Sequence, residues 1–204
     1  MVLDVNVYLD VARYLGAPFT WERMVETARV HRGAPIPNPA DPAIDSIRAI
    51  VACMSGAHPD GRPLSVWTSD HITGLIGRKA VDPTSGIDDP GLGWAFHDAQ
   101  SLIDDLMWRL IDLTGGDTVG EVRVAYGHPP LDHEDGLVFA TARAAGQEDA
   151  YIDVVCLTRD NYFRSRQLPG TTTVMSPAQW LTQVKSSQRI AAMKRMTAPA
   201  PVAT

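Results

Sequence analysis

The chain has 204 residues, 45% of them hydrophobic and 21% charged, with 15 prolines, 16 glycines and two cysteines. That length suits one α/β domain with insertions, and the apolar fraction is too high for a disordered chain. The net charge of −6 is unevenly spread: residues 1–160 hold 24 acidic and 12 basic side chains, whereas residues 161–204 hold six basic ones (Arg164, Arg166, Lys185, Arg189, Lys194, Arg195) and no acid. An acidic body repels polyanions unless metal ions intervene, and a basic tail attracts them.

No apolar run approaches the roughly 18 residues of a membrane span, so neither a transmembrane helix nor a membrane partner is expected. The opening Met1-Val2-Leu3-Asp4 lacks the basic start of a signal peptide. Cys53 and Cys156 are too few for a disulfide framework or a four-ligand zinc site. A reduced, cytoplasmic protein is expected.

In chain order, Val2 to Val7 reads as a short buried strand running into a polar end, followed by a helix over residues 7–15. Four prolines make residues 33–42 a loop. Ser46 is expected to cap a helix reaching about Ser55, with Ile47, Ile50, Val51 and Met54 on one face. Leu64 to Thr68 reads as a second strand, and Ser69 starts a helix containing Gly74 and Gly77. After a loop over residues 82–91 comes the strongest helical signal, from about Trp94 to Leu113. Its apolar stripe is Ala99, Leu102, Ile103, Leu106, Leu110 and Leu113, and Thr114-Gly115-Gly116 ends it. Trp108 and Arg109 fall on its polar face, where an exposed aromatic suits a subunit contact. Glu121 to Val124 predicts a third strand and Asp132 to about Ala145 a helix; Asp153 to Leu157 predicts a fourth strand. Asp160 to Arg164 reads as a helical turn and Thr171 to Val174 as a fifth strand. Ser176 and Pro177 supply the N-cap and first-turn proline of a last helix.

Alternating strands and helices predict an α/β fold, with a mostly parallel five-stranded sheet covered by helices on both faces. One domain is expected over residues 1–183, with insertions near 33–42 and 82–91. A basic extension, partly disordered, follows over 184–204.

Ligands of an open parallel sheet sit beyond the carboxyl ends of its strands. Asp4 lies at or near the end of strand one, Asp160 follows strand four, and Asp135 occupies the first turn of the helix between strands three and four. Three carboxylates from separate segments are therefore expected at one end of the sheet. Carboxylates that meet repel one another unless a cation holds them. Hard oxygen donors suit Mg²⁺ or Mn²⁺, and metal-assisted phosphodiester hydrolysis is the chemistry that follows. Each acid also has a plainer reading. Asp132 to Asp135 is a helix start, with Asp132 as N-cap, and Asp160 is a cap for the turn after strand four. An acid within the apolar first strand is costly to bury without a partner.

These residues resemble PIN-domain nucleases. Val2 to Asp10 resembles the first motif of that family, an Asp at the end of strand one followed two residues on by Asn, Thr or Ser. Asp135 to Ala142 resembles the third motif, and Leu157-Thr158-Arg159-Asp160 is similar to the fourth, a strand ending in Thr-x-Asp. The resemblance spans residues 1 to about 183. It implies a PIN-like three-layer sandwich and a metal-dependent endoribonuclease that cuts single-stranded RNA, of the kind found as the toxin in toxin–antitoxin pairs. Implied partners are RNA, an antitoxin protein and a second copy of the chain as a homodimer. By the same resemblance Asp4, Asp135 and Asp160 are catalytic and ligate Mg²⁺ or Mn²⁺, while Asn6 and Thr158 orient them. The family usually supplies a glutamate from the helix after strand two. Leu75 falls at that place, and Asp70 is the nearest acid. A catalytically degenerate binding module of the same fold is the alternative reading. Asp4-Val5-Asn6-Val7 is also similar to the first motif of haloacid-dehalogenase-like phosphatases, but Asn6 cannot act as their general acid.

Overall fold

The computed structural model describes residues 1–58, 60–84, 91–126, 131–148, 153–168 and 170–197. Three short parallel strands lie at its centre: β1 (Val2–Leu3), β2 (Val155–Leu157) and β3 (Thr173–Met175), in the order β1-β2-β3. Val2 pairs with Cys156, and Cys156 with Val174. Val2, Leu3, Cys156 and Leu157 are all fully buried. Successive side chains point to opposite faces, so both faces are covered.

The α/β class stands, but the sheet formed by the described residues has three strands where five were expected. The expected second strand shrinks to a parallel bridge between Trp67 and Val2, with the Trp67 amide donating to the Met1 carbonyl at 2.8 Å. The expected third strand is absent at residues 121–124; Thr118 instead bridges Thr68 in parallel. Glycines explain the shift. Gly116 lies so close to Val66 that a Cβ there would stand 1.7 Å from the Val66 carbonyl oxygen, and Gly120 turns the chain at φ 69°. Glycine in this role ends pairing early. β1 likewise stops at Leu3, because Asp4 leaves the ladder to cap the next helix.

The helices are α1 (Val5–Leu15), α2 (Trp21–Val30), α3 (Ala43–Cys53), α4 (Asp70–Val81), α5 (Phe96–Ser101), α6 (Arg109–Thr114), α7 (His133–Glu148), α8 (Asn161–Ser165) and α9 (Pro177–Thr197), with a π-helical stretch, Leu102–Trp108, joining α5 to α6. α3 packs against α1, α2 and α9, while α7 lies on β1 and β2 and touches α4. Sequence reading assigned no element to α2, whose Trp21, Met24 and Ala28 are buried. α3 begins after Pro42 rather than at Ser46. The Ser46 hydroxyl is spent on Asp10 Oδ2 at 2.7 Å, so it caps nothing.

The π-helical stretch corrects the expected stripe of the long helix. The buried positions are Ala99, Ile103, Met107 and Ile111 in one row and Leu102, Leu106, Leu110 and Thr114 in another. Both rows advance by four residues, a step that drifts on a 3.6-residue helix and is held in line by a wider turn. Leu113 thereby rotates outward to 48% exposure, and Ile111 turns inward. Trp108 packs against the core instead of standing exposed, and the Arg109 guanidinium lies over Trp21, 4.7 Å from its ring centre. Gly115, left-handed at φ 64°, ends α6 as expected.

α9 opens on a reciprocal cap. Gln179 N–H donates to Ser176 Oγ at 3.1 Å, and Ser176 N–H donates to Gln179 Oε1 at 2.7 Å. Its first turns bury Trp180, Leu181 and Val184. The helix continues through Thr197, so the expected boundary at residue 183 falls inside it. The expected disordered end, 198–204, and residues 85–90 of the second insertion lie outside the described residues. Among the described residues, no helix is long and apolar enough to cross a membrane.

Candidate active site

Parallel strands deliver their carboxyl ends to the same edge of the sheet, and β1 and β2 end there on Asp4 and Thr158. Asp4 N–H donates to the Leu157 carbonyl at 2.9 Å, and the chain then turns into α1. The Asp4 side chain caps that helix, accepting from the Val5 amide at 2.6 Å through Oδ1. Its other oxygen, Oδ2, accepts from Thr158 Oγ1 at 2.6 Å and from the Asn6 side-chain amide. Asn6 also donates to Thr158 Oγ1 at 3.2 Å and accepts the Arg159 amide at 2.9 Å. Thr158 Oγ1 accepts the Asp160 amide at 2.9 Å as well. One hydroxyl therefore ties the end of β2 to Asp4, Asn6 and Asp160. Asn6 and Thr158, which the motif resemblance singles out, both donate to Asp4 Oδ2.

Asp4 is 5% exposed. Burial pushes its carboxyl up to about 6, against the pull of Thr158, Val5 and the Lys79 charge, while Asp160 raises it further. Asp135 lies in the first turn of α7, its amide held by Asp132 Oδ1 at 2.8 Å, as the helix-start reading expects. Its carboxyl is pushed up to about 8, first by burial and then by the charges of Asp4, Asp132, Asp160 and Glu134. Asp135 Oδ2 is buried with no hydrogen-bond partner. Asp160 caps α8, its Oδ1 accepting the Tyr162 amide at 2.6 Å and the Phe163 amide at 3.4 Å. Asp135 thus feels the charges of Asp4 and Asp160, and Asp4 that of Asp160, across 156 residues of chain.

The ligand set is less complete than expected. Among the described residues, no group of three or more His, Cys, Asp or Glu side chains is arranged to hold a metal ion. Asp160 is engaged as a cap, which draws one of its oxygens to the α8 amides. Mg²⁺ is ordinarily held by one or two carboxylates and completes its shell with water and phosphate oxygens. On that count the donors present suit it: mutually repelling carboxylates, and on Asp135 a buried oxygen with nothing to accept from. Asp70, at the start of α4, is exposed and is not among the principal charges acting on Asp4 or Asp135. Leu75 is buried at the place of the expected glutamate.

Several residues of the site went unread in the sequence. Lys79 brings the positive charge that favours ionised Asp4. Thr141 Oγ1 donates to Ser69 Oγ at 2.9 Å, and both side chains are buried, fixing α7 against the start of α4. Arg159 Nη1 lies 3.4 Å from Asp10 Oδ2, tying the turn after β2 to α1. His71 Nε2 is buried without a partner, and burial holds its imidazole below the ordinary value. Only Ser69 left a signal, as a helix cap; the others depend on which helices meet.

No family model matches the chain, and no curated protein or solved structure matches it significantly.

Proposed function

We propose that the chain is a Mg²⁺- or Mn²⁺-dependent endoribonuclease of the PIN type, cutting single-stranded RNA at the Asp4–Asp135–Asp160 cluster. The observation that carries this reading is Asp135 Oδ2, buried without a partner on a carboxylate that Asp4 and Asp160 already repel. A carboxylate in that position is relieved by a proton or by a cation.

A bound divalent ion would supply a more acidic water and neutralise charge building on the phosphate. Asp135, whose Oδ2 has no partner, and Asp4 would hold it. Thr158 and Asn6 fix Oδ2 of Asp4, so that carboxylate cannot swing away. The Asp160 amide, bound to the same hydroxyl, keeps the turn after β2 in register with both. Lys79 favours the ionised form of Asp4.

Service as the toxin of a toxin–antitoxin pair, with an antitoxin protein and a second copy of the chain as partners, belongs to the same reading and rests on the motif resemblance. A cytoplasmic location rests instead on the two cysteines, both free and buried. The second reading, a PIN-fold binding module without catalysis, is favoured by Leu75 and by the incomplete ligand set. Incubation of labelled single-stranded RNA with wild type, Asp4→Asn and Asp135→Asn in Mn²⁺ or EDTA tests the proposal. Cleavage by wild type in Mn²⁺ alone supports it. Equal cleavage by all three proteins, or none by any, overturns it.

A further inference from the structure

At the two residues that flank Asp160 in the chain the surface opens into a cleft of about 740 Å³, within the range that takes a drug-sized ligand. Arg159, Asn161 and Arg164 line it. Arg164 Nε donates to the Asp160 carbonyl at 3.3 Å, and its Nη1 reaches Gln179 Oε1 on α9 at 3.5 Å. Val174 on β3 and Pro37 from the proline-rich loop add apolar surface. Asp45 also lines the cleft, but it is buried, ion-paired with Arg48 at 3.5 Å and bonded to the Asn38 amide at 2.7 Å. Arg159 Nη1 is itself paired with Asp10 Oδ2 at 3.4 Å, and Arg164 Nη2 donates to Asn161 Oδ1, so the positive charge of the rim is that of two guanidiniums held in place by partners that a phosphate would share. They stand at the edge of a segment, residues 1–160, that is otherwise strongly acidic.

Guanidiniums take phosphate oxygens in pairs. A flat apolar wall takes the face of a base, and side-chain amides read base edges that a single strand leaves unpaired. We infer that this cleft is a nucleotide subsite: the residue of single-stranded RNA next to the scissile phosphodiester lies in it, with a phosphate on Arg159 and Arg164 and its base against Val174 and Pro37. The inference rests on the endoribonuclease reading for the identity of the strand, and its test does not depend on cleavage.

Fluorescence anisotropy of a labelled single-stranded RNA in EDTA reads binding alone. Arg164→Ala should weaken binding about tenfold, the low end for a lost hydrogen bond to a charged group, and flatten the salt dependence by roughly 0.7 for one phosphate contact. Arg164 also bonds within the fold, so a second variant guards against unfolding. Thr182 is exposed on the cleft wall, and Thr182→Trp fills the cleft without touching the core; it should weaken binding to a similar degree. Arg29→Ala, an exposed residue of α2 paired with Glu26, removes the same charge elsewhere and should bind like wild type. Arg164→Ala and Thr182→Trp binding as tightly as Arg29→Ala would overturn the subsite, as would wild type that fails to bind. If Asp135→Asn nevertheless abolishes cleavage, the catalytic proposal survives that loss.

Discussion

Asp135→Asn gives the sharpest prediction, because it separates stability from function. Raising the carboxyl from 3.8 to about 8 is worth at most ~6 kcal/mol, at ~1.4 kcal/mol for each tenfold in proton affinity. Asp135 is only part-buried, and solvent screening cuts that to about 2 kcal/mol. Below pH ~4 the carboxyl is protonated in both folded and unfolded chains and costs nothing. Between ~4 and about 8 the folded chain retains a proton that the unfolded chain has lost, so stability falls as pH rises, and the full cost is present above about 8. An asparagine carries no such cost. Without metal, Asp135→Asn should melt about 4–8 °C above wild type at pH 8 and level with it near pH 4. Mn²⁺ at ~100 times its dissociation constant should stabilise wild type by about 2.7 kcal/mol, erasing the lead, and leave the variant unmoved. Thermal melts by circular dichroism at both pH values, with Mn²⁺ or EDTA, provide the measurement. A variant no more stable than wild type at pH 8 would refute the picture of a carboxylate held against its neighbours.

Thr158→Val removes the hydroxyl that serves Asp4, Asn6 and the Asp160 amide; urea unfolding should show a loss of about 2 kcal/mol, with RNA cleavage reduced. Gly116→Ala should cost about 3 kcal/mol or more, because a Cβ there meets the Val66 backbone, and the urea midpoint reads it. The π-helical register predicts opposite outcomes two residues apart. Ile111→Ala, at 2% exposure, should lose about 2–5 kcal/mol. Leu113→Lys, at 48% exposure, should stay within about 0.5 kcal/mol. Equal losses at the two positions would place the stripe on an ordinary helix.

Where the sequence was legible, a local rule was strong enough to survive tertiary packing. Ser69, Asp132 and Ser176 cap the helices they were expected to cap, and Gly115 ends the helix it was expected to end. The fourth strand is an apolar run and the fifth a β-branched one, each between turn signals, and both appear. The failures share one cause. Ser46 has the right chemistry for a cap, but Asp10, 36 residues earlier, takes its hydroxyl. Leu113 fits a 3.6-residue stripe that the π-helical stretch rephases. The third strand gave way because Gly116 had to approach Val66. In the site, Asp4, Asp135 and Asp160 were readable as acids at strand ends and a helix start, whereas Asn6 and Thr158 were implied by the motif resemblance. Lys79, Thr141 and Arg159 were not, since their roles come from α4, α7 and α1 meeting around the sheet. Asp160 was read both as ligand and as cap, and the cap is the role its hydrogen bonds display.

The central claim is that acids far apart in sequence form one cation site, and titration calorimetry with Mn²⁺ at pH 7 tests it most directly. Wild type should bind close to one ion per chain and release protons, since Asp135 titrates at about 8 and must ionise to bind. Affinity should rise about tenfold for each pH step between 6 and 8, and Asp135→Asn should show neither the binding nor the proton release. The same isotherm for wild type and variant would contradict the account.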